Sequence, residues 1–149
     1  MNQMTNKEYQ KYAKKKIPKP TYFKNILYAF IVGGFICVIG QIIRKILFKY
    51  GLDEETVATG TSIILVFLGS FLTGLGYYDR IGKIGGAGAA IPITGFANSI
   101  VSPAMEFKRE GFIFGVAARM FSIAGPVLVY GVSSSIIVGI LYLLLSKGR

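Results

Sequence analysis

Thr94, Asn98, Ser102 and Glu106 stand four residues apart. On a helix that spacing makes one polar stripe. Just before the stripe runs GGAGAA (Gly85 to Ala90), whose glycines, Gly85, Gly86 and Gly88 among them, can take positive φ and expose backbone N–H groups. Pro92 ends any helix there, and Thr94 is the predicted N-cap of the next. The unpaired N–H groups at such a helix start suit an anion. Ser99 adds a hydroxyl and Arg119 a guanidinium set inside an apolar stretch, where a charge faces a partner, a water-filled cavity or the interface. Glu106 departs from this anion-friendly set, and gating, pairing with Arg119 and facing water remain open for it. The chemistry on offer is the holding and passing of a solute, with no covalent step.

Other chemistries are missing from the chain. It has no His, one Cys and no paired carboxylates within an apolar run, so zinc sites and His-based triads are excluded. GGAGAAIP lacks the spacing and Lys of a nucleotide loop. No enzyme activity, cofactor or metal site is expected.

The elements that must hold the stripe are apolar and long. Phe23 to Ile43, Val57 to Tyr78 and Gly111 to Ser146 are almost free of charge, in a chain of 149 residues that is 52% hydrophobic. Runs of about 20 apolar residues match the roughly 30 Å hydrocarbon core of a bilayer. The fold class is therefore an all-α, small polytopic membrane protein: a Lys-rich tail (1–21) and one membrane domain (22–146). Spans are expected at about 23–43, 57–78 and, kinked, 111–145, with a broken or re-entrant segment at 84–106. Gly111 to Ser146 would extend roughly 54 Å as one helix, so Gly125 and Pro126 mark an expected break or kink. If Gly85 to Met105 crosses fully there are four crossings; if it dips and returns there are three, with the C-terminus outside. The basic residues at both chain ends, Lys147 and Arg149 at the second, favour four.

Small residues let helices approach closely in lipid. Gly33, Gly34 and Gly40 in the first span, with Cys37 as a packing residue, and Ser70 and Gly74 in the second are the predicted packing positions. Gln41 could bond a neighbouring helix, and Ser133, Ser134 and Ser135 their own helix or a neighbour. Asp53 is the predicted N-cap of the second span, with Glu54 and Glu55 complementing its dipole. Tyr77 and Tyr78 fall where an aromatic belt is expected.

The net charge is +10, and seven Lys (7, 11, 14, 15, 16, 19, 24) precede or open the first span. That placement puts the N-terminus in the cytoplasm and argues for anionic lipid rather than nucleic acid as the partner of the tail. Pro18 and Pro20 disfavour helix just before them, so the tail is either irregular or a short surface helix. The run after it is too long for a signal peptide and is a retained span.

Three strings, GGFICVIGQ (Gly33 to Gln41), LTGLGYYDRIGKIGGAGAAIPITGFANS (Leu72 to Ser99) and AMEFKREGFIFGVAARMF (Ala104 to Phe121), resemble the stage V sporulation protein AC family, small SpoVA membrane proteins of SpoVAC/SpoVAEb type. The resemblance runs from about Pro18 onward. It implies a channel or transport role for dipicolinic acid, with its calcium, across the forespore and spore inner membrane. Uptake belongs to sporulation and release to germination. It further implies a mechanosensitive activity and two partners, a related small membrane subunit and a soluble subunit that binds the acid, in a homo- or hetero-oligomer. No catalytic residues come with it. Replacing Thr94 by Val or Asn98 by Leu is expected to impair passage. A scaffold that holds a partner's channel, or a holin-like tension-gated pore, are the alternatives.

Overall fold

The structure, a computed structural model, describes residues 5–16 and 21–146. Pro18, Pro20, Lys147 and Arg149 lie outside the described residues. Every regular element in the described part is helical, and three helices are long and apolar enough to cross a membrane: Tyr22–Lys49, Glu54–Gly74 and Phe112–Ser146. This is an all-α small membrane protein.

The tail forms helix α1 (Asn6–Lys16). Thr5 and Glu8 make a capping box: the Glu8 carboxylate accepts from the Thr5 N–H at 3.0 Å and from its hydroxyl at 2.8 Å. Those two bonds, the backbone one first, hold the Glu8 carboxyl below its ordinary value.

Helix α2 (Tyr22–Lys49) runs past the predicted end at 43 because Arg44, Lys45 and Lys49 sit on its last turns, where cations suit the helix dipole. A short connection through Gly51, at φ 78, leads to α3 (Glu54–Gly74). Asp53 caps α3 as the sequence indicates, accepting from the Thr56 N–H (3.0 Å) and hydroxyl (2.7 Å). The Arg44–Glu54 ion pair at 2.8 Å ties the two helix ends together. The pair α2–α3 is an antiparallel hairpin, with Gly60 facing Leu47 and Gly40 facing Leu65.

The second apolar run does not stay helical to Tyr78. Helix α3 stops at Gly74 in a Schellman motif: the Tyr77 N–H donates to Leu72 O (3.0 Å) and the Gly76 N–H to Thr73 O (2.9 Å). Gly76 sits at φ 73, the left-handed turn that glycine adopts without steric penalty. The chain then makes α4 (Tyr78–Gly85), turns at Gly86 (φ 49), makes one turn of helix α5 (Ala87–Ala90), and enters α6 (Ile93–Glu106).

A 3₁₀ turn (Lys108–Glu110) and a π-helical turn (Phe112–Ala117) connect α6 to α7 (Ala118–Ser146). The irregularity expected at Gly125–Pro126 lies earlier. The π turn, where Gly115 and Val116 both donate to Gly111 O at 3.1 Å, absorbs it, and α7 stays helical through Pro126. Ser134 and Ser135 donate to Tyr130 O (2.7 Å) and Gly131 O (2.8 Å) of their own helix. From Pro126 to Ser146 every residue of α7 is exposed.

Candidate functional site

The segment from α4 to α6 is wedged between α2 and α3. Helices α4 and α5 pack on α2, and α6 packs on α3. The wedge fits because its walls are backbone. A methyl group added at Gly88 would collide with the Ala29 backbone, and one at Gly95 with Ala89 O and Ala90 O. At Gly69 it would stand 2.7 Å from Thr94 O, and at Gly85 2.6 Å from Val32 Cγ1. From the other wall Gly33 faces Gly88 O at 3.3 Å. Close approach of this kind is how membrane helices gain dispersion energy where no water is expelled.

Two polar ties cross the wedge. The Tyr78 hydroxyl is 2.9 Å from Ala89 O and 2.7 Å from Thr94 Oγ1. A carbonyl has no proton to give, so the phenol donates to Ala89 O, and its oxygen is left to share a hydrogen bond with the Thr94 hydroxyl. Thr73 Oγ1 lies 2.6 Å from Gly69 O and 2.9 Å from the side-chain oxygen of Asn98. Its one proton is shared between these two acceptors. Tyr78, Thr73 and Thr94 are 3%, 6% and 6% exposed, so these groups have lost water and depend on one another. Interhelical bonds of this kind contribute on the order of 0.6–2 kcal/mol each in a membrane protein.

Below the wedge, Thr73, Gly76, Asp79, Ser102 and Met105 line an open cavity of about 380 Å³ with mixed polar and apolar walls. A larger cavity of about 600 Å³, almost wholly apolar, opens between α2 and α3, where Phe35, Leu68 and Ile81 line it and Tyr78 and Thr94 also reach it. The smaller one has the chemistry for a polar solute. The larger one has the chemistry of acyl chains or apolar side chains.

The sequence model of the SpoVAC/SpoVAEB sporulation membrane protein family matches residues 25–141, from the first turn of α2 to the last turns of α7. The chain is 45% identical over 141 residues to stage V sporulation protein AC of Bacillus subtilis (strain 168), covering 93% of this chain and 94% of the relative. The chain belongs to the SpoVAC/SpoVAEB family. No solved structure matches it, so the wedge gives this SpoVAC/SpoVAEB chain a geometric description of its own.

Several sequence-predicted residues take other places than expected. Pro92, not Thr94, holds the N-cap position of α6, with no side-chain cap bond. Thr94 turns inward to Tyr78 because the proline's extended backbone already begins the helix. Pro103, a residue that ordinarily kinks or starts a helix, sits inside an unbroken α6. Tyr78 is buried in the wedge, and Tyr77 alone of the tyrosine pair is exposed. Cys37 faces outward rather than into a packed contact, and Gln41 is exposed with no hydrogen-bond partner among the described residues.

The stripe is thus divided by depth. Thr94 is buried and Asn98 half-buried against α3, Ser102 lines the smaller cavity, and Glu106 is exposed. Ser99 is half-buried and donates to Phe96 O at 2.7 Å within its own helix. Arg119 does not pair with Glu106. Its guanidinium is 4.2 Å from the Phe107 ring centroid, a cation–π contact, and the residue is exposed. Gly85 and Gly88 serve packing, while Gly86 has open space around it. Of the predicted packing residues, Gly33 meets Gly88 and Gly40 meets a leucine side chain. Gly34 and Gly74 face open space, and Ser70 is half-buried. Sequence reasoning missed Gly69 and Gly95, and it also missed Tyr78. The one usable signal is Tyr-Tyr-Asp-Arg directly after Gly76, where charge returns beside an aromatic able to reach inward.

Proposed function

We propose that this chain is a channel or transport subunit that moves dipicolinic acid, with its calcium, across the forespore and spore inner membrane. Family membership supports the setting, and the wedge carries the mechanism. Irregular backbone at membrane depth persists only where protein encloses it or a cavity reaches it. Here Gly85 and Gly88 are packed against α2 and Thr94 against α3, and the cavity at Ser102 lies at the foot of the same element.

The cargo is a planar dianion, which hydroxyls, N–H groups and a guanidinium accept better than carboxylates do. Ser102, which lines the smaller cavity, and the exposed Gly86 and Arg119 are assigned to the path. Thr94, Asn98, Gly85 and Gly88 hold the hairpin in place. Asp79 and Glu106 suit the calcium that travels with the acid. The chain works with other SpoVA subunits, a related membrane subunit and a soluble one that binds the acid, with its N-terminus in the cytoplasmic compartment and α1 against anionic lipid. Lateral tension that spreads α2 from α3 would loosen the wedge between them, which is the mechanosensitive part of the reading.

One observation favours a second reading, a scaffold for a partner's channel. The outer part of α7 and the apolar cavity between α2 and α3 are both free to receive other helices. Spores carrying Ser102→Leu separate the two. The path reading expects lowered dipicolinate content at unchanged protein level, and full content with normal release rejects it. The scaffold reading instead expects damage from Gly34→Leu, which lies in open space on α2. Current from the purified chain alone would point to a tension-gated pore.

A further inference from the structure

The register of α6 on α3 bears on how the chain crosses the bilayer. Thr94 packs on Gly69, Asn98 on Thr73, and Ser102 shares a cavity with Gly74 and Gly76. Residue numbers rise in the same direction on both helices, so α3 and α6 are parallel. Two parallel spans need a full return crossing between them, about 20 residues of helix. The return here is α4, of 8 residues, and α5, of 4, bent at Gly86. It also carries Asp79, Arg80 and Lys83, all exposed.

The depth of the tip follows from what it touches. On one wall Thr94 meets α3 at Gly69, about 8 Å before that helix ends at 1.5 Å per residue. On the other wall Gly88 meets Ala29 and Gly33, about 10–17 Å into α2. Neither distance spans a hydrocarbon core of roughly 30 Å. The exposed charges of the 3₁₀ turn, Lys108, Arg109 and Glu110, come after α6 at the same end of the bundle as Asp79, Arg80 and Lys83.

We infer that α4, α5 and α6 form a re-entrant hairpin that enters and leaves on the side of the N-terminus. The chain crosses three times, the cavity at Thr73, Asp79 and Ser102 opens to that side, and the C-terminus lies on the other. The distribution of basic residues agrees. Lys-rich α1, Arg80, Lys83, Lys108 and Arg109 gather at one end, while Arg44, Lys45 and Lys49 at the other are balanced by Asp53, Glu54 and Glu55. Lys147 and Arg149 at the chain end argued for an even count, but the register on α3 outweighs two charges. The inference rests on the membrane reading and not on the cargo. For transport it has one consequence: the hairpin lines only the near part of any path, and other chains must line the far part.

The test is sided labelling of the full chain in sealed vesicles, with Cys37→Ser as background and a membrane-impermeant maleimide as probe. Lys7→Cys marks the N-terminal side. Lys83→Cys and Glu110→Cys mark the two feet of the hairpin, Ala90→Cys its tip and Ser146→Cys the end of α7. All replace exposed residues, so folding is preserved. Lys83→Cys and Glu110→Cys should react from the same side as Lys7→Cys, and Ser146→Cys only from the opposite side. Ala90→Cys should resist reagent added on the far side. Feet that label from opposite faces, or Ser146→Cys labelling with Lys7→Cys, overturn the inference. None of these outcomes depends on dipicolinate passage.

Discussion

The hairpin and the outer part of α7 are made of similar residues and live under opposite rules. Between Gly85 and Ala97 a glycine or alanine meets another backbone at almost every turn, and five residues are buried in that span alone: Gly85, Ala89, Thr94, Gly95 and Ala97. Beyond Pro126, α7 has glycines at 131 and 139, and a methyl group added at either would meet nothing within 4 Å outside its own helix backbone. In water such an exposed apolar helix would be driven to cover itself. In lipid it is already solvated, and only close backbone approach or a buried hydrogen bond favours contact. Apolarity therefore says where the chain sits, and small size together with hydroxyl placement says what touches what.

The largest break in this contrast should come from volume. Gly88→Val drives two methyls into the Ala29 backbone, and overpacking costs about 1–3 kcal/mol, more where the obstacle is main chain. We expect a marked drop in Tm in detergent and loss of protein from the membrane. Gly139→Val should leave both unchanged in the isolated chain. Equal effects at the two sites would erase the distinction.

Next in size is Tyr78→Phe, which removes the phenol and leaves Ala89 O and the Thr94 hydroxyl without their partner. A buried group left unsatisfied costs about 1–3 kcal/mol. Faster hydrogen exchange around Ala89 to Gly95, with α7 unaltered, is the expected readout. A smaller effect, on the order of 0.6–2 kcal/mol, is expected for Asn98→Leu, which unties α6 from Thr73 but keeps the glycine contacts. Unfolding in a denaturing detergent should rank it clearly between Tyr78→Phe and the parent chain.

The smallest effect lies outside the membrane. The Thr56 hydroxyl, and after it the Thr56 N–H, hold the Asp53 carboxyl below its ordinary value. A lowered folded value means the stabilisation is complete above the ordinary aspartate pKa and fades as pH falls below it toward the lowered one. Asp53→Ala should remove that acid-side loss while slightly lowering stability at neutral pH, read as a flatter Tm-against-pH curve. A parent curve that is already flat in that window would contradict the cap's role.

How much of this could be read from the chain follows the same division. The three long helices, the Asp53 cap and the contact surface at Gly33 were legible, because apolar run length, N-cap chemistry and small-residue spacing are local signals. Gly69 and Gly95 were not, because they differ from Gly34 and Gly74 only in which distant segment lies opposite. The end of α3 was hidden inside a continuous apolar run, since Gly76 acts by its φ and not by its polarity. Local spacing points Thr94 to a capping role, whereas its partner is Tyr78, sixteen positions earlier. The polar stripe was correctly spaced, yet periodicity does not say whether a helix face meets protein or water.

The six charged residues at the feet of the hairpin set a mechanical limit. Asp79, Arg80 and Lys83 stand on one leg, and Lys108, Arg109 and Glu110 just past the other. Pushing the tip deeper would drag them toward hydrocarbon, at about 2.5–3.5 kcal/mol for each that reached the centre. Drawing it back carries no charge into hydrocarbon and brings only the apolar tip, Ile91, Ile93 and Phe96 among it, toward the headgroups. The element is thus built like a stopper with a flange, free to lift out on one side and barred from being driven through.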